Sequence, residues 1–185
     1  MLNAINYIFK KTLSEIIIAI YSILDFLLFD LTIFTPVRAM IASLFWKIGK
    51  KTRLRKGFVV THLRNLEIGN NCYINRNNLF NNGGKITIGS NCTIGFDNKF
   101  LTVNHIEKDK VRSENNYSFY YKNVQIGDNV WITTNCVILP GSVIEDNVIV
   151  TPNSVVKGTL LRNWIYGGNP LKKVRKTEGI MPKLY

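Results

Sequence analysis

The sequence predicts a mainly β protein built as a three-sided solenoid of short parallel strands, preceded by an α-helical segment and interrupted by one loop excursion. Neither a 3.6-residue helix nor a two-residue strand alternation produces a period of six residues. A solenoid does, when each aliphatic side chain points to the axis and successive coils stack at roughly 4.8 Å. The aliphatic residues that keep this period without a slip are Ile126, Ile132, Ile138, Ile144, Val150 and Val156.

Small residues two places before these aliphatic positions support the same geometry, because they would also point inward, where there is little room. They are Val130, Cys136, Ser142, Val148 and Ser154. The other cysteines, Cys72 and Cys92, obey the same rule before Ile74 and Ile94. We interpret all three cysteines as core filling, since no CxxC or Cys/His cluster has the spacing of a metal site. Unpaired thiols suit a reducing cytoplasm, which is the expected location.

Residues 1–53 form a separate apolar and basic segment, in which we expect two helices, over 3–34 and 37–48, divided by Pro36. Asp25 and Asp30 lie inside the apolar run, and each would cost about 2.5 to 3.5 kcal/mol near the centre of a membrane span. A simple span is therefore disfavoured, and a secretory signal is disfavoured because no small-residue cleavage site is obvious. Two interpretations stay open: the helices lie in the membrane interface, or they pack on the solenoid or on a neighbouring subunit.

The net charge of +12 predicts an anionic partner. Residues 31–66 contain eight bases and no acid, so residues 1–56 could contact the inner face of the cell membrane through its anionic headgroups. A second acid-free run covers residues 147–177. Nucleic acid is not expected, because the basic runs lack interleaved aromatic residues and no nucleic-acid-binding motif is present.

The solenoid itself is expected over residues 54–166, with a slip at the turn-forming residues 81–84 and a length of about four coils. A loop at residues 105–123 interrupts the repeat with charged and aromatic residues. Insertions of this kind leave a solenoid on one face and often carry function. Residues 167–185 are expected to form a basic tail.

Four segments resemble the hexapeptide-repeat acyltransferases, in particular the branch of galactoside, maltose and capsule or lipopolysaccharide O-acetyltransferases. They are IGDNVWI at 126–132, ILPGSVI at 138–144, NSVV at 153–156 and GGNPLKKVRK at 167–176. The resemblance implies a left-handed parallel β-helix that works as a homotrimer. It also implies that acetyl-CoA and a sugar or glycan acceptor bind in the cleft between neighbouring prisms.

The resemblance assigns roles to individual residues. His105, at the mouth of the loop, matches the catalytic histidine, and Asn77 matches an asparagine that contacts the acceptor. Trp131 matches a tryptophan that lines the cleft, while Lys172 and Arg175 match bases near the phosphates of CoA. Thr133 stands where the family usually has glycine, beside the path of the pantetheine arm of the cofactor. The acids that bind sugar hydroxyls in the galactoside enzymes are replaced near Asn82 and Gly83.

The chemistry of a histidine fits this assignment, because attack by an alcohol on a thioester needs a base with a pKa near neutrality. We therefore expect an acetyl-CoA-dependent O-acetyltransferase that transfers directly to a sugar hydroxyl of a surface polysaccharide or its lipid-linked precursor, without an acyl-enzyme. The alternatives are an N-acyltransferase on an amino sugar and a non-catalytic trimeric β-helix. No metal is expected, since two histidines, His62 and His105, cannot supply a three-histidine zinc site.

Overall fold

A computed structural model describes residues 2–105 and 119–177, and these residues form two α-helices and twenty short strands. Helix α1 spans Leu2–Leu27 and helix α2 spans Thr35–Ser43, with a 3₁₀ turn at Thr32–Phe34 between them. Among the described residues, no helix has both the length and the apolar character that crossing a bilayer requires.

The strands follow the helices in chain order, and most are only two or three residues long. They are β1 Lys47–Ile48, β2 Arg53–Leu54, β3 Val59–Val60, β4 Leu66–Ile68, β5 Tyr73–Ile74, β6 Leu79–Asn81, β7 Ile86–Ile88, β8 Thr93–Ile94, β9 Lys99–Leu101, β10 Val103–His105, β11 Phe119–Tyr121, β12 Val124–Ile126, β13 Trp131–Ile132, β14 Val137–Ile138, β15 Val143–Ile144, β16 Ile149–Val150, β17 Val155–Val156, β18 Thr159–Leu160, β19 Trp164–Gly167 and β20 Lys172–Lys176.

Parallel pairing between strands of successive coils arranges these elements into the three faces of a β-helix. The first face has the order β1-β4-β7-β12-β15-β18, and the second has β2-β5-β8-β13-β16-β19-β20. The third face has the order β17-β14-β9-β6-β3. The described strands thus form about five turns, with β10 and β11 standing apart as an antiparallel pair. This confirms the predicted parallel β-helix.

The interior is filled by the residues that the six-residue period selects. All six aliphatic residues of the uninterrupted run are buried, as are the small residues two places before them. The three cysteines are buried and free, so the prediction of core filling is confirmed. Aromatic rings fill the wider early coils, where Phe80 stacks on Phe100 at a centroid distance of 4.7 Å.

Two of the corners are built from stacked asparagines in the left-handed conformation, which asparagine tolerates better than most residues. One corner stacks Asn71, Asn91, Asn129, Asn147 and Asn163, and the other stacks Asn77, Asp97, Asn135 and Asn153, all with φ between 54° and 64°. Side-chain amides join neighbours in the stack, for example Asn135 Nδ2 to Asn153 Oδ1 at 2.8 Å. The residues that form the corners of one coil therefore also hydrogen-bond to the next coil.

The N-terminal boundary of the β-helix differs from the prediction. The first coil begins at Lys47 rather than at residue 54, because β1 pairs with β4 and brings Ile48 beside Ile68. Ile48, Leu54 and Val60 extend the six-residue period backwards, but bases occupy many of the positions between them. Helix α1 also ends earlier than expected, at Leu27, and Pro36 lies in the first turn of α2 instead of between two helices.

The C-terminal segment is also more ordered than a tail. Strand β20 turns back and pairs antiparallel with β19, so that Lys172 faces Gly167 and Lys176 faces Trp164 across the pair. Residues 178–185 of the predicted tail lie outside the described residues.

Candidate active site

His105 ends β10, the strand that carries the chain away from the third face. Its backbone pairs with Phe119 of β11, and the side chain of His105 lies outside the described part of the structure. The neighbouring Asn104 donates a hydrogen bond from Nδ2 to the hydroxyl of Tyr120 at 3.0 Å. The predicted loop thus begins and ends as an antiparallel pair, with Tyr117 outside the described residues.

Strand β11, whose backbone pairs with that of β10, carries exposed aromatic residues. Phe119 is 46% exposed and Tyr121 is 54% exposed. The ring of Tyr121 lies directly over Gly83, at a position where a Cβ atom would overlap the ring. Glycine at this corner therefore makes room for the aromatic side chain.

Asn77 lies apart from His105 within one chain. It is an exposed member of an asparagine stack, with φ of 58°, at the corner that enters the third face. Leu79 pairs with Lys99, so Asn77 lies level with Asp97, at the start of the face. His105 follows the end of β9, at the far end of the same face. A single chain therefore does not bring Asn77 and His105 together.

Trp131 lies on the second face, in an outward row that runs across the strands. The register aligns Trp131 with Ile149, then with Ile165, and finally with Arg175 of β20. Three strand spacings of about 4.8 Å separate the two ends of this row by roughly 14 Å. The middle of the row is aliphatic and its upper end is cationic, so it could hold an elongated molecule with an anionic end.

Thr133 follows Trp131 at the corner that leaves the second face. Its hydroxyl donates to the backbone oxygen of Val150 in the next coil at 2.8 Å. Its own backbone oxygen accepts a hydrogen bond from Asn98 Nδ2 at 2.9 Å. Since the hydroxyl proton is already used, Thr133 can offer a bound molecule a lone pair but not that donor.

The basic side chains of β20 surround an aromatic residue that the sequence analysis did not select. Lys173 Nζ lies 3.8 Å from the ring centroid of Trp164, and Lys176 Nζ lies 5.9 Å from it. Attraction between ammonium groups and the ring face stabilises this arrangement. The six-residue period does not predict this contact, because the antiparallel strand β20 lies outside the repeat.

His62 and Asn82 have structural roles at the third corner of the early coils. Asn82 is fully buried, accepts a hydrogen bond from the backbone nitrogen of His62 at 2.8 Å and donates one to its backbone oxygen at 2.8 Å. Trp46 Nε1 donates to the same oxygen at 3.0 Å. Asn82 therefore binds the chain and not a sugar.

The described residues contain no group of three or more His, Cys, Asp or Glu side chains that could hold a metal ion. A hydrogen bond with Cys72 raises the pKa of the Cys92 thiol and burial raises it further, while burial raises the pKa of the Cys136 thiol. These thiols consequently lack the acidity of nucleophilic cysteines.

A family model described as bacterial transferase hexapeptide (six repeats) matches residues 123–158. A Staphylococcus aureus protein provisionally named an acetyltransferase is 32% identical over 126 residues, which cover 64% of this chain and 58% of that protein. The chain thus spans a little over half the length of this curated relative.

Solved structures with the same fold cover more of the chain. A maltose O-acetyltransferase from Clostridium difficile superposes with a TM-score of 0.77 and 27% identity, covering 86% of this chain and 83% of that one. A hexapeptide-repeat acetyltransferase from Vibrio cholerae, in complex with acetyl coenzyme A, superposes with a TM-score of 0.71 and 26% identity, covering 78% of both chains. Together with the buried six-residue period, these similarities show that residues 123–158 carry the bacterial transferase hexapeptide repeat and that the chain has the fold of acetyltransferases with this repeat.

Proposed function

We propose that the protein transfers an acetyl group from acetyl-CoA to a hydroxyl of a sugar in a surface polysaccharide or its precursor. The row from Trp131 to Arg175 carries this proposal, because its aliphatic middle suits a pantetheine arm and its basic end suits phosphates. The Vibrio cholerae structure holds acetyl-CoA on the same fold, and the Clostridium difficile enzyme is a maltose O-acetyltransferase. The first similarity supports acetyl-CoA as the cofactor, and the second supports a sugar as the acceptor.

In the proposed mechanism His105 acts as the general base. Its imidazole takes the proton of the sugar hydroxyl while the hydroxyl oxygen attacks the thioester carbon. The C–S bond of the thioester then breaks, and the imidazolium returns the proton to the sulfur, so that CoA leaves as the thiol. Asn77 is proposed to position the acceptor. Direct attack is favoured over an acyl-enzyme, since the described cysteines are buried in the core.

The decisive experiment measures release of the CoA thiol from acetyl-CoA in the presence of a panel of free sugars and glycan fragments, including amino sugars. We expect release that depends on a sugar, with an alkali-labile ester in the product. An alkali-stable amide on an amino sugar would instead identify an N-acyltransferase. A rate that no sugar increases would contradict the proposal.

We propose that the active unit is a homotrimer. Asn77 and His105 lie at opposite ends of the third face, so a site that contains both needs residues from two subunits. Exposed aromatic residues, such as Phe96 at 44% exposure and Tyr121 at 54%, are available for such an interface. Light scattering is expected to give three times the 21.2 kDa mass of the chain. A particle of single-chain mass at micromolar concentration would be evidence against a shared site.

The bases of β20 are proposed to bind the cofactor phosphates. Replacing Lys172 and Arg175 together by alanine is expected to raise the KM for acetyl-CoA about tenfold, which corresponds to about 1.4 kcal/mol. The value of kcat should stay nearly unchanged, because these charges meet the cofactor equally in the ground and transition states. Steady-state kinetics at saturating acceptor measures both constants.

A matched control removes two exposed bases from the opposite end of the molecule, with Lys50→Ala and Arg53→Ala. Arg53 belongs to the same outward row as Trp131, but it lies on the first coil. The control should leave the KM for acetyl-CoA unchanged. An equal rise in both variants would indicate a general effect of net charge instead of a phosphate site.

The remaining part of the proposal is peripheral contact of residues 1–56 with the inner face of the membrane. Exposed bases of the first coil, including Lys50, Lys51 and Arg53, support it, because anionic headgroups attract such a cluster. The protein should float with phosphatidylglycerol vesicles at low salt and less well at high salt, which screens the attraction. Complete recovery in the unbound fraction at low salt would favour packing between subunits instead.

A further inference from the structure

The connection between the two helices, residues 28–34, presents large apolar side chains to solvent. We call these residues the elbow. Phe29 is 75% exposed, Leu31 is 58% exposed and Ile33 is 73% exposed. The adjoining turns of the helices add Leu27 at 66% and Met40 at 64%. These exposed apolar side chains lie close together along the chain, and a concentration of this kind is typical of an interaction site.

Polar contacts hold the backbone of the elbow in place. Arg38 Nη2 donates to the backbone oxygens of Leu28 and Phe29 at 2.8 and 3.0 Å. The same guanidinium pairs with Asp25 through Nε at 2.7 Å. Arg55 donates to the backbone oxygen of Asp30 at 3.4 Å. The exposed apolar side chains are therefore presented on a fixed backbone and do not fold back onto the core.

The charge around the elbow favours a lipid surface over a second copy of the chain. Between residues 9 and 66 the acids are Glu15, Asp25 and Asp30, and the last two pair with arginines. The first coil meanwhile exposes Lys50, Lys51 and Arg53, whereas Lys47 pairs with Glu67 at 2.7 Å. Two such ends brought face to face would repel each other, whereas a bilayer with anionic headgroups accepts both the apolar side chains and the bases.

The elbow also touches the corner that carries the proposed acceptor residue. Asp30 pairs with Arg55 at 3.1 Å and with Arg76, which directly precedes Asn77. This corner belongs to the second coil, one strand spacing of about 4.8 Å from the first. A bilayer that receives the elbow would therefore lie beside the edge on which Asn77 stands.

We infer that the elbow docks on an anionic bilayer and so presents the Asn77 edge to a sugar carried on a membrane lipid. The inference rests on the proposed acetyl transfer to a sugar, and it narrows the acceptor to a lipid-linked one. Docking replaces a search in three dimensions by one along the surface, which raises the effective concentration of acceptor at the site.

The test compares the wild-type chain with a variant that carries Phe29→Ser, Leu31→Ser and Ile33→Ser. Leu161→Ser is the control, because Leu161 is 48% exposed and lies beyond β18, at the other end of the β-helix. Vesicles contain phosphatidylglycerol and phosphatidylcholine, with maltosyl diacylglycerol as the acceptor probe. Free maltose is the soluble counterpart, and flotation of the protein with the vesicles is recorded in parallel.

Wild-type and control proteins should float and should acetylate the lipid-linked maltose about tenfold or more faster than free maltose at equal bulk concentration. The elbow variant should lose flotation and this preference while it keeps its rate on free maltose. Equal rates on the two acceptors for the wild type, with transfer intact, would overturn the inference alone.

Two further results separate the inference from its alternatives. If light scattering shows that the mass of the elbow variant falls to that of a single chain, the inference is overturned in favour of an interface between copies. Absence of transfer to both probes would count against the proposed function. Flotation would then test the docking by itself, and equal flotation of the wild type and the elbow variant would overturn the inference.

Discussion

Replacement of His105 by alanine is expected to lower kcat by about 10² to 10⁴-fold, the usual contribution of a general base. The KM for acetyl-CoA should remain nearly unchanged, because the imidazole acts on the proton of the acceptor and not on the cofactor. Steady-state kinetics with the best acceptor of the sugar panel measures both values. A trimeric His105→Ala protein with normal kcat would refute the mechanism even though the fold stands.

His62 provides the matched control for that experiment. It is the other histidine of the chain, it is exposed, and its Nδ1 lies 3.0 Å from the hydroxyl of Thr61. His62→Ala removes an imidazole without touching the backbone atoms that Trp46 and Asn82 bind. We expect its kcat to match that of the wild type.

Asn77 needs a more careful substitution than alanine because of its positive φ. Alanine at φ of 58° would strain the corner in addition to removing the amide. Aspartate is tolerated at the equivalent corner of the next coil, where Asp97 has φ of 59°. Asn77→Asp therefore removes the amide donor with little change of backbone, and it should reduce kcat by less than His105→Ala does.

Loss of Arg38 is expected to have the largest effect on stability. Arg38→Ala should destabilise the packing of the helices by about 3 to 5 kcal/mol, because it leaves the buried carboxylate of Asp25 without its cation. The backbone oxygens of Leu28 and Phe29 would lose a donor as well. Denaturant unfolding followed by circular dichroism measures the change.

A half-exposed arginine that pairs with Asp30 provides the variant with which Arg38→Ala is compared. Arg76 is 46% exposed and pairs with an acid that also binds Arg55, so Arg76→Ala should cost less than about 1 kcal/mol. Similar losses for the two arginine variants would contradict the assignment of Arg38 as a buried structural charge. Replacing both partners, with Asp25→Leu and Arg38→Met, should recover much of the stability, since it leaves no charge unpaired.

The repeat made the fold predictable from the sequence, because each buried position in residues 124–157 is set by contacts that recur every six residues. The same period runs through Ile48, Leu54 and Val60, but the bases between them resemble a surface segment and concealed the first coil. Contacts that do not recur with this period could not be predicted from the sequence. The pairing of Arg38 with Asp25, and of Lys173 with Trp164, depends on how distant parts of the chain pack.

The candidate site was predictable only in its residue types. Family resemblance selected His105 and Asn77, yet it could not show that they occupy opposite ends of one face. That separation arises from the parallel stacking, which fixes each residue by its place in the coil and not by its distance along the chain. The use of the Thr133 hydroxyl by Val150 is likewise a contact between coils that single-sequence reasoning does not reveal.

The antiparallel return of β20 gives the β-helix a defined length. A parallel solenoid has no intrinsic end, because every coil offers the next one the same row of unpaired backbone groups. Reversal of the strand direction at Lys172–Lys176 means that no further parallel strand can continue the second face beyond β19. The lysines on this reversed strand add electrostatic repulsion between ends. The strand that is proposed to hold the cofactor phosphates therefore also ends the stacking of parallel strands on the second face.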